Sequence, residues 1–284
     1  MMQYEGPVIN EETIENYIAY QREQEKNQST LQKYRHNLQA LVYFLKGEEL
    51  TKEVLIRWKE HLINEYAPTT VNVMLSAING YVRYMNWSEL IVKPLKIQKC
   101  LFLEEEKELT RGEYVRLVRT AQTKGNVRLS LVIQTLCATG MRVSELKFIT
   151  AESVHCGKVE ISNKGKLRIV FLPNDLRKLL KRYMKSQKKT TGAVFTTRSG
   201  KPLDRSNIWR DMKKLCKNAN VSEKKVFPHN LRHLFARTFY TLEKDLSRLA
   251  DILGHTNINT TRIYTAESGT VHVQQMQRMK LVVT

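Results

Sequence analysis

Arg142 in the block Ala138-Thr139-Gly140-Met141-Arg142-Val143-Ser144-Glu145-Leu146, then His229 and Arg232, then His255 after Leu253-Gly254, then Tyr264, form one ordered set suited to one chemistry. A phosphodiester is anionic and repels nucleophiles, and its transition state gathers further charge on the non-bridging oxygens. Guanidinium forks meet that geometry in bidentate fashion. A phenol can attack phosphorus and hold the phosphoryl group as an ester that keeps the bond energy for a second transfer. An ordinary tyrosine ionises near ~10, so it needs a base or dense positive charge beside it. His229, Arg142 and Arg232 can supply these. Taken singly, each residue reads as a surface arginine, a helix cap or one of 12 tyrosines.

The elements that must position these residues can be read from spacing. Residues 126–137 are apolar enough for a buried helix, ending near Gly140, so that Arg142 projects just past a helix end. Glu145 lies one helical turn on and can brace it. His229 and Arg232, spaced i, i+3, share one face of a helix opened by Pro228, whose positive dipole end attracts phosphate. His233 points at a different angle and reads as a packed, structural residue. Residues 158–162 and 167–172 form two strands around the turn Asn163-Lys164-Gly165-Lys166. A lysine there can reach a groove and protonate a leaving oxygen, and chemistry alone leaves Lys164 and Lys166 equal. Helices follow at about 175–187, 204–218, 229–241 and 245–253, with Gly254 as a stop, and a short helix over 258–264 carries Tyr264.

The first third has a different character. Residues 10–87 read as four helices joined by short gaps. Ser29 and Gln32 form a capping box for the second, Thr51 caps the third and Pro68 opens the fourth. Pro94 and the acidic run Glu104, Glu105, Glu106 and Glu108 mark a solvated linker, and Thr110 with Glu113 caps the helix that follows. The expected organisation is a helical domain over 1–92, a linker over 93–107 and a second domain over 108–284, with a tail from about 268. The fold class is mainly α, with a small antiparallel sheet in the C-terminal domain.

The net charge of +19 points to a polyanionic partner, and all of it falls after residue 100: residues 1–100 hold 12 basic and 12 acidic side chains, residues 101–284 hold 35 and 16. A membrane surface is the rival for a basic chain. The sequence has no apolar run of 18 residues and a polar N-terminus, so a soluble, intracellular protein is expected. Cys100, Cys137, Cys156 and Cys216 are scattered without a C-x-x-C pair, which argues against a disulfide framework or a zinc site.

Three blocks, Ala138 to Leu146, Pro228 to Ala236 and Leu253 to Tyr264, together resemble the tyrosine recombinase (phage integrase) family, including its Xer-type and conjugative-transposon members. Residues 10–87 also resemble the family's N-terminal helical, SAM-like core-binding domain. The resemblance implies a site-specific DNA recombinase in which Arg142 and Arg232 clamp the scissile phosphate, His229 is general base or proton shuttle, and His255 bonds a phosphate oxygen. Lys164, preferred over Lys166, protonates the departing 5′-oxygen, and Tyr264 becomes joined to the 3′-phosphate. It implies no cofactor, since transesterification conserves energy. It also implies duplex DNA as partner, a homotetramer on two sites passing through a Holliday junction, and a bacterial, cytoplasmic, nucleoid-associated setting. In the N-terminal domain Lys26, Lys33 and Arg35 are candidate DNA contacts. Val273, Met276, Met279 and Val283 recur at helical spacing, as expected of a tail that packs onto a neighbouring protomer or folds back on its own domain. With so few residues before the first helix, a further N-terminal arm-binding domain is not expected. Two other readings remain: a DNA-relaxing strand transferase of type IB topoisomerase character, and a catalytically idle DNA-binding regulator.

Overall fold

Asn10, Asn27, Thr51 and Pro68 start the four helices of the first unit: α1 (Glu11–Glu23), α2 (Gln28–Leu45), α3 (Lys52–Glu65) and α4 (Pro68–Tyr84). The structure, a computed structural model, describes residues 7–97, 105–163, 166–197, 199–265, 273 and 276–281. The chain divides into two units, Met1–Lys99 and Cys100–Thr284.

The cap of α2 differs from the sequence expectation. Asn27, in extended conformation, accepts from Thr30 N, whereas Ser29 lies inside the first turn and donates its hydroxyl to Asn27 Oδ1 at 2.7 Å. Asparagine caps at least as well as serine, so the helix starts two residues earlier. Ile14, Tyr17, Leu38, Leu41, Trp58, Leu75 and Tyr81 form the core of this unit and are almost wholly buried. Two asparagines spaced seven apart on α4 then tie down the chain that leaves it. Asn79 exchanges hydrogen bonds with the backbone of Val92 at 2.8 and 3.0 Å, and Asn72 does so with Leu95 at 2.9 and 2.7 Å. The first residues of the expected linker are therefore held against α4.

The second unit is built on α6 (Val127–Thr139), apolar on nearly every face and buried at Leu129, Leu131, Val132, Ile133 and Leu136. Each such side chain contributes roughly 1.5–3 kcal/mol relative to exposure. Around it lie α5 (Arg111–Thr123), which opens with the expected Thr110–Glu113 capping box, α8 (Asn174–Ser186), α9 (Arg205–Lys213) and α11 (Pro228–Glu243). The 3-10 turn Val143–Phe148 and α7 (Ala151–Cys156), neither anticipated from sequence, lead into β1 (Lys158–Asn163) and β2 (Lys166–Phe171). These strands pair antiparallel, from Lys158 opposite Phe171 to Asn163 opposite Lys166.

The helix expected over 204–218 is two pieces, α9 and the short α10 (Cys216–Ala219). After α12 (Leu246–Leu253), the expected short helix over 258–264 is a pair of single 3-10 turns, Ile258–Thr260 and Arg262–Tyr264. A run containing Asn257, Asn259, Thr260 and Thr261 offers side-chain bonds that compete with a continuous helix: Asn257 Oδ1 accepts from Asn259 N, and Thr260 Oγ1 donates to Asn257 O. Among the described residues, no helix is long and apolar enough to cross a membrane.

Candidate active site

Gly140 ends α6 in the left-handed region, at φ 62°, and any Cβ there would come within 2.4 Å of the Phe235 ring. A glycine is needed both for the turn and for the close approach of α11. Arg142 follows two residues later. Its own N–H donates to Glu145 Oε2 at 2.7 Å, and its guanidinium donates to Glu145 Oε1 at 3.1 Å. The expected brace is in place, and Glu145 is buried while the Arg142 side chain remains 40% exposed. An anion can therefore reach Arg142 without displacing Glu145.

Glu145 Oε2 also accepts from Arg168 Nη2 at 2.5 Å, and Arg168 Nη1 donates to Ile252 O at 3.0 Å. Arg168 was not picked out as a functional residue from sequence. It lies on the inward face of β2 with Val170, while Leu167, Ile169 and Phe171 face solvent. No local signal marks it, because the more apolar face of the strand is the one turned to solvent.

Arg232 is 1% exposed, the fifth residue of α11. Its Nη1 donates to Gly140 O at 2.6 Å and its Nη2 to Leu253 O at 2.8 Å. It thus joins the C-terminal ends of α6 and α12, where carbonyls are left over by the helices. Among the described residues its Nε has no hydrogen-bond partner. Burial, then the nearby charge of Arg142, push its pKa down to about 10. Among the described residues its bonded partners are two carbonyls and an imidazole, and no carboxylate forms an ion pair with it, an unusual setting for a buried cation.

His255 follows the left-handed Gly254 that ends α12. Its Nε2 lies 2.9 Å from Arg232 Nη2 and its Nδ1 2.8 Å from Thr261 Oγ1. Burial first, then Arg232, Arg142 and Arg168, push it down to about 4. His229, at the start of α11, has an exposed side chain, yet the protein mass around the ring, His233, Arg232, Arg142 and Arg205 push it in the same direction, to about 4. Both imidazoles are neutral near pH 7. Arg205, the first residue of α9, is a further cation near the site that was missed from sequence.

Tyr264 is 4% exposed, in the second 3-10 turn. Burial raises its pKa, and the nearby positive charges of Arg232 and Arg142 oppose the rise. The ring stands edge to face with His233 at 5.1 Å and nearly parallel to His255 at 6.3 Å. His233 is packed, as expected, and it is also paired with Glu108, its Nδ1 lying 3.5 Å from Oε1. Glu108 had been assigned to a solvated acidic run, which is wrong for this residue: its side chain is 16% exposed and also accepts from Arg237 at 3.1 Å.

The structure therefore brings together Arg142, Glu145, His229, Arg232, His255 and Tyr264. Lys164 lies outside the described residues, as does the side chain of Lys166. In the N-terminal unit Lys26 and Lys33 are exposed, while Arg35 is paired with Glu15 at 2.5 Å, bridging α2 to α1. No cluster of His, Cys, Asp or Glu suited to a metal occurs among the described residues.

Residues 107–270 match the phage integrase family, and residues 14–89 match the phage integrase N-terminal SAM-like domain. A tyrosine recombinase XerD of Halalkalibacterium halodurans is 29% identical over 285 residues, covering 89% of this chain and 92% of that one. A tyrosine recombinase XerA of Pyrococcus horikoshii is 27% identical over 289 residues, covering 98% and 96%. Among solved structures, a lambda integrase dimer bound to a COC′ core site has TM-score 0.72 at 17% identity, covering 91% of this chain and 77% of that one. The XerH site-specific recombinase bound to difH substrate in a pre-cleavage complex has TM-score 0.68 at 21% identity, covering 87% and 78%. At these identities the structural likeness shows the fold.

Proposed function

The chain belongs to the phage integrase family, and from that premise we propose that it is a site-specific DNA recombinase acting through Tyr264. The observation that carries this reading is Arg232, a buried cation that among the described residues has an unused Nε donor and no carboxylate in an ion pair with it, beside the phenol of Tyr264.

In the proposed reaction a DNA phosphate binds between Arg232 and the exposed fork of Arg142. The Tyr264 oxygen attacks phosphorus, and its proton passes to His229, whose depressed pKa leaves it neutral and able to accept. The bond to the 5′-oxygen breaks, and that oxygen takes a proton from Lys164, with Lys166 as the alternative. The product is a 3′-phosphotyrosyl ester. Attack by the 5′-hydroxyl of a partner strand reverses the step and frees the tyrosine, so no outside energy source enters. Two such exchanges in sequence pass through a Holliday junction.

The assembly follows as part of the same proposal: a homotetramer on two duplex sites, with the C-terminal tail of one protomer packing on the next. Val273, Met276 and Met279, and Leu281 with them, are exposed, which supports a tail in search of an apolar partner; Val283 lies outside the described residues. Domains over 1–92 and 108–284 with a linker over 93–107 are part of the proposal, supported by a division of the chain near residue 100 and by separate family matches over 14–89 and 107–270. Lys26 and Lys33 are proposed backbone contacts of the first domain. A bacterial cytoplasmic, nucleoid-bound setting accords with this chemistry.

The test is covalent trapping. Wild type and Tyr264→Phe are incubated with nicked, labelled duplexes from the DNA flanking the gene and resolved on denaturing gels. An adduct from wild type alone is expected. An adduct that persists in Tyr264→Phe would overturn the choice of nucleophile, and salt-sensitive binding without any adduct would favour a DNA-binding regulator.

A further inference from the structure

Tyr264 is held in a single 3-10 turn, which fixes its backbone weakly compared with a full helix. Attack on phosphorus nevertheless needs the phenolic oxygen in line and within about 3–3.5 Å. The side chains packed on its ring must supply much of that precision. One of them is His233, whose ring meets the phenol edge to face at 5.1 Å and 85°. Aromatic rings are electron-rich on the face and electron-poor at the edge, so this T-shaped contact is attractive as well as space-filling.

His233 is itself held. Its Nδ1–H donates to Glu108 Oε1 at 3.5 Å, and the second oxygen of that carboxylate accepts from Arg237 Nη1 at 3.1 Å. Burial would raise the Glu108 pKa, but His233 and Arg237 outweigh it, and the carboxylate stays ionised. An ionised carboxylate accepts only, which fixes the proton of His233 on Nδ1 and stops the ring from turning over. Arg237 also offsets a negative charge that otherwise makes Tyr264 harder to ionise. Glu108 stands two residues before the Thr110 cap of α5, whereas His233 and Arg237 are one turn apart on α11. The cluster thus ties the entry of the catalytic unit to the helix that carries His229 and Arg232.

We propose that Glu108 and His233 are positioning residues for strand cleavage, a carboxylate–imidazole pair that holds the ring of Tyr264 in line with the phosphate. The proposal rests on the reading of Tyr264 as nucleophile.

The experiment uses the full chain and a nicked duplex that traps the cleaved state, with Glu108→Ala, Glu108→Gln, His233→Phe and the Glu108→Ala/His233→Phe double variant. Misplacing a reacting atom by about 1 Å costs about 100-fold, so cleavage within the bound complex is expected to fall about 10- to 100-fold in Glu108→Ala and in His233→Phe, with DNA affinity kept. Glu108→Gln should recover most of the rate, because its amide oxygen still accepts from Nδ1–H. The double variant should be no slower than the slower single one. A second readout needs no activity: 3-fluorotyrosine is incorporated, and the Tyr264 fluorine signal is assigned by its loss in Tyr264→Phe. That signal should shift in Glu108→Ala and return in Glu108→Gln. An unmoved signal, rates within about twofold of wild type, or single-variant losses that multiply in the double variant would each overturn the pairing. If wild type forms no adduct, the nucleophile reading fails, and the fluorine signal still decides whether the pair positions the ring.

Discussion

Arg232 Nη2 lies 2.9 Å from Nε2 of His255, and a guanidinium has no lone pair to offer. His255 must therefore present its lone pair to Arg232 and carry its proton on Nδ1, where it donates to Thr261 Oγ1 at 2.8 Å. A phosphate oxygen in the site would need the opposite, an N–H at Nε2. The Thr261 hydroxyl can accept or donate, so it can stay bonded while the proton changes sides. Nitrogen-15 spectra of labelled histidine should show the Nδ1–H form in the free protein and an Nε2–H form once vanadate or DNA occupies the site. An Nε2–H ring in the free protein would contradict the Arg232 contact.

Arg232→Lys keeps the charge but cannot keep the geometry. One ammonium cannot reach Gly140 O, Leu253 O and His255 Nε2 together while leaving a donor for phosphate. Loss of one preorganised donor typically costs about 10²–10³ in rate, and cleavage within the bound complex should fall at least that far. DNA affinity should change much less, because most phosphate contacts lie elsewhere on a chain of net charge +19. Single-turnover cleavage and salt-dependent binding, measured side by side, separate the two effects. An equal loss in both would mean that Arg232 serves binding alone.

His229 and His255 are both pushed down to about 4 from an ordinary 6.5. Between those values the unfolded chain binds more protons than the folded one. Their contribution to stability is complete above about 6.5, declines as pH falls through the window, and levels off below about 4. Urea midpoints at pH 7, 6 and 5 should fall in that order, and His255→Asn should show a shallower decline. The acid limb of cleavage, if His229 is the base, belongs near 4 and not near 6.5. A cleavage profile that breaks near 6.5 would show that the ring is not shielded as described.

Arg142, His229, Arg232, His255 and Tyr264 were legible because their spacing is local: a glycine-stopped helix, an i, i+3 pair behind a proline, and a short stretch after Gly254. Arg168 and Glu108 were not. Each acts through a partner far along the chain, Glu145 for the first and His233 for the second, and long-range pairing leaves no mark on local periodicity. On β2 the pattern also misleads, since three apolar residues face solvent while the arginine turns inward. Glu108 was hidden by Glu104, Glu105 and Glu106, which make a charged run look uniformly solvated. The split of the expected 204–218 helix into α9 and α10 escaped notice because the break at Lys214 and Leu215 contains neither glycine nor proline.

Glu145 serves two arginines that differ in burial, and this makes its two roles separable. Arg168 has a side chain only 13% exposed and pairs with Glu145 at 2.5 Å; Arg142 is 40% exposed and pairs at 3.1 Å. Removing one partner of a buried ion pair costs about 3–5 kcal/mol, because the other charge is left without compensation. Glu145→Gln should therefore destabilise the catalytic unit, chiefly through Arg168. Arg168→Met, which removes that cation, should reduce the penalty, with a coupling of about 0.5–3 kcal/mol in a double-mutant cycle followed by urea denaturation. Cleavage should not return with stability. In the double variant Arg142 still lacks the carboxylate that fixes its fork, and on the proposed reading that fork must be in place before the phosphate arrives. Recovery of both stability and cleavage would show that Arg142 needs no brace. Recovery of neither would show that Glu145 acts mainly through its bond to the Arg142 backbone N–H, at 2.7 Å, which holds the turn after Gly140.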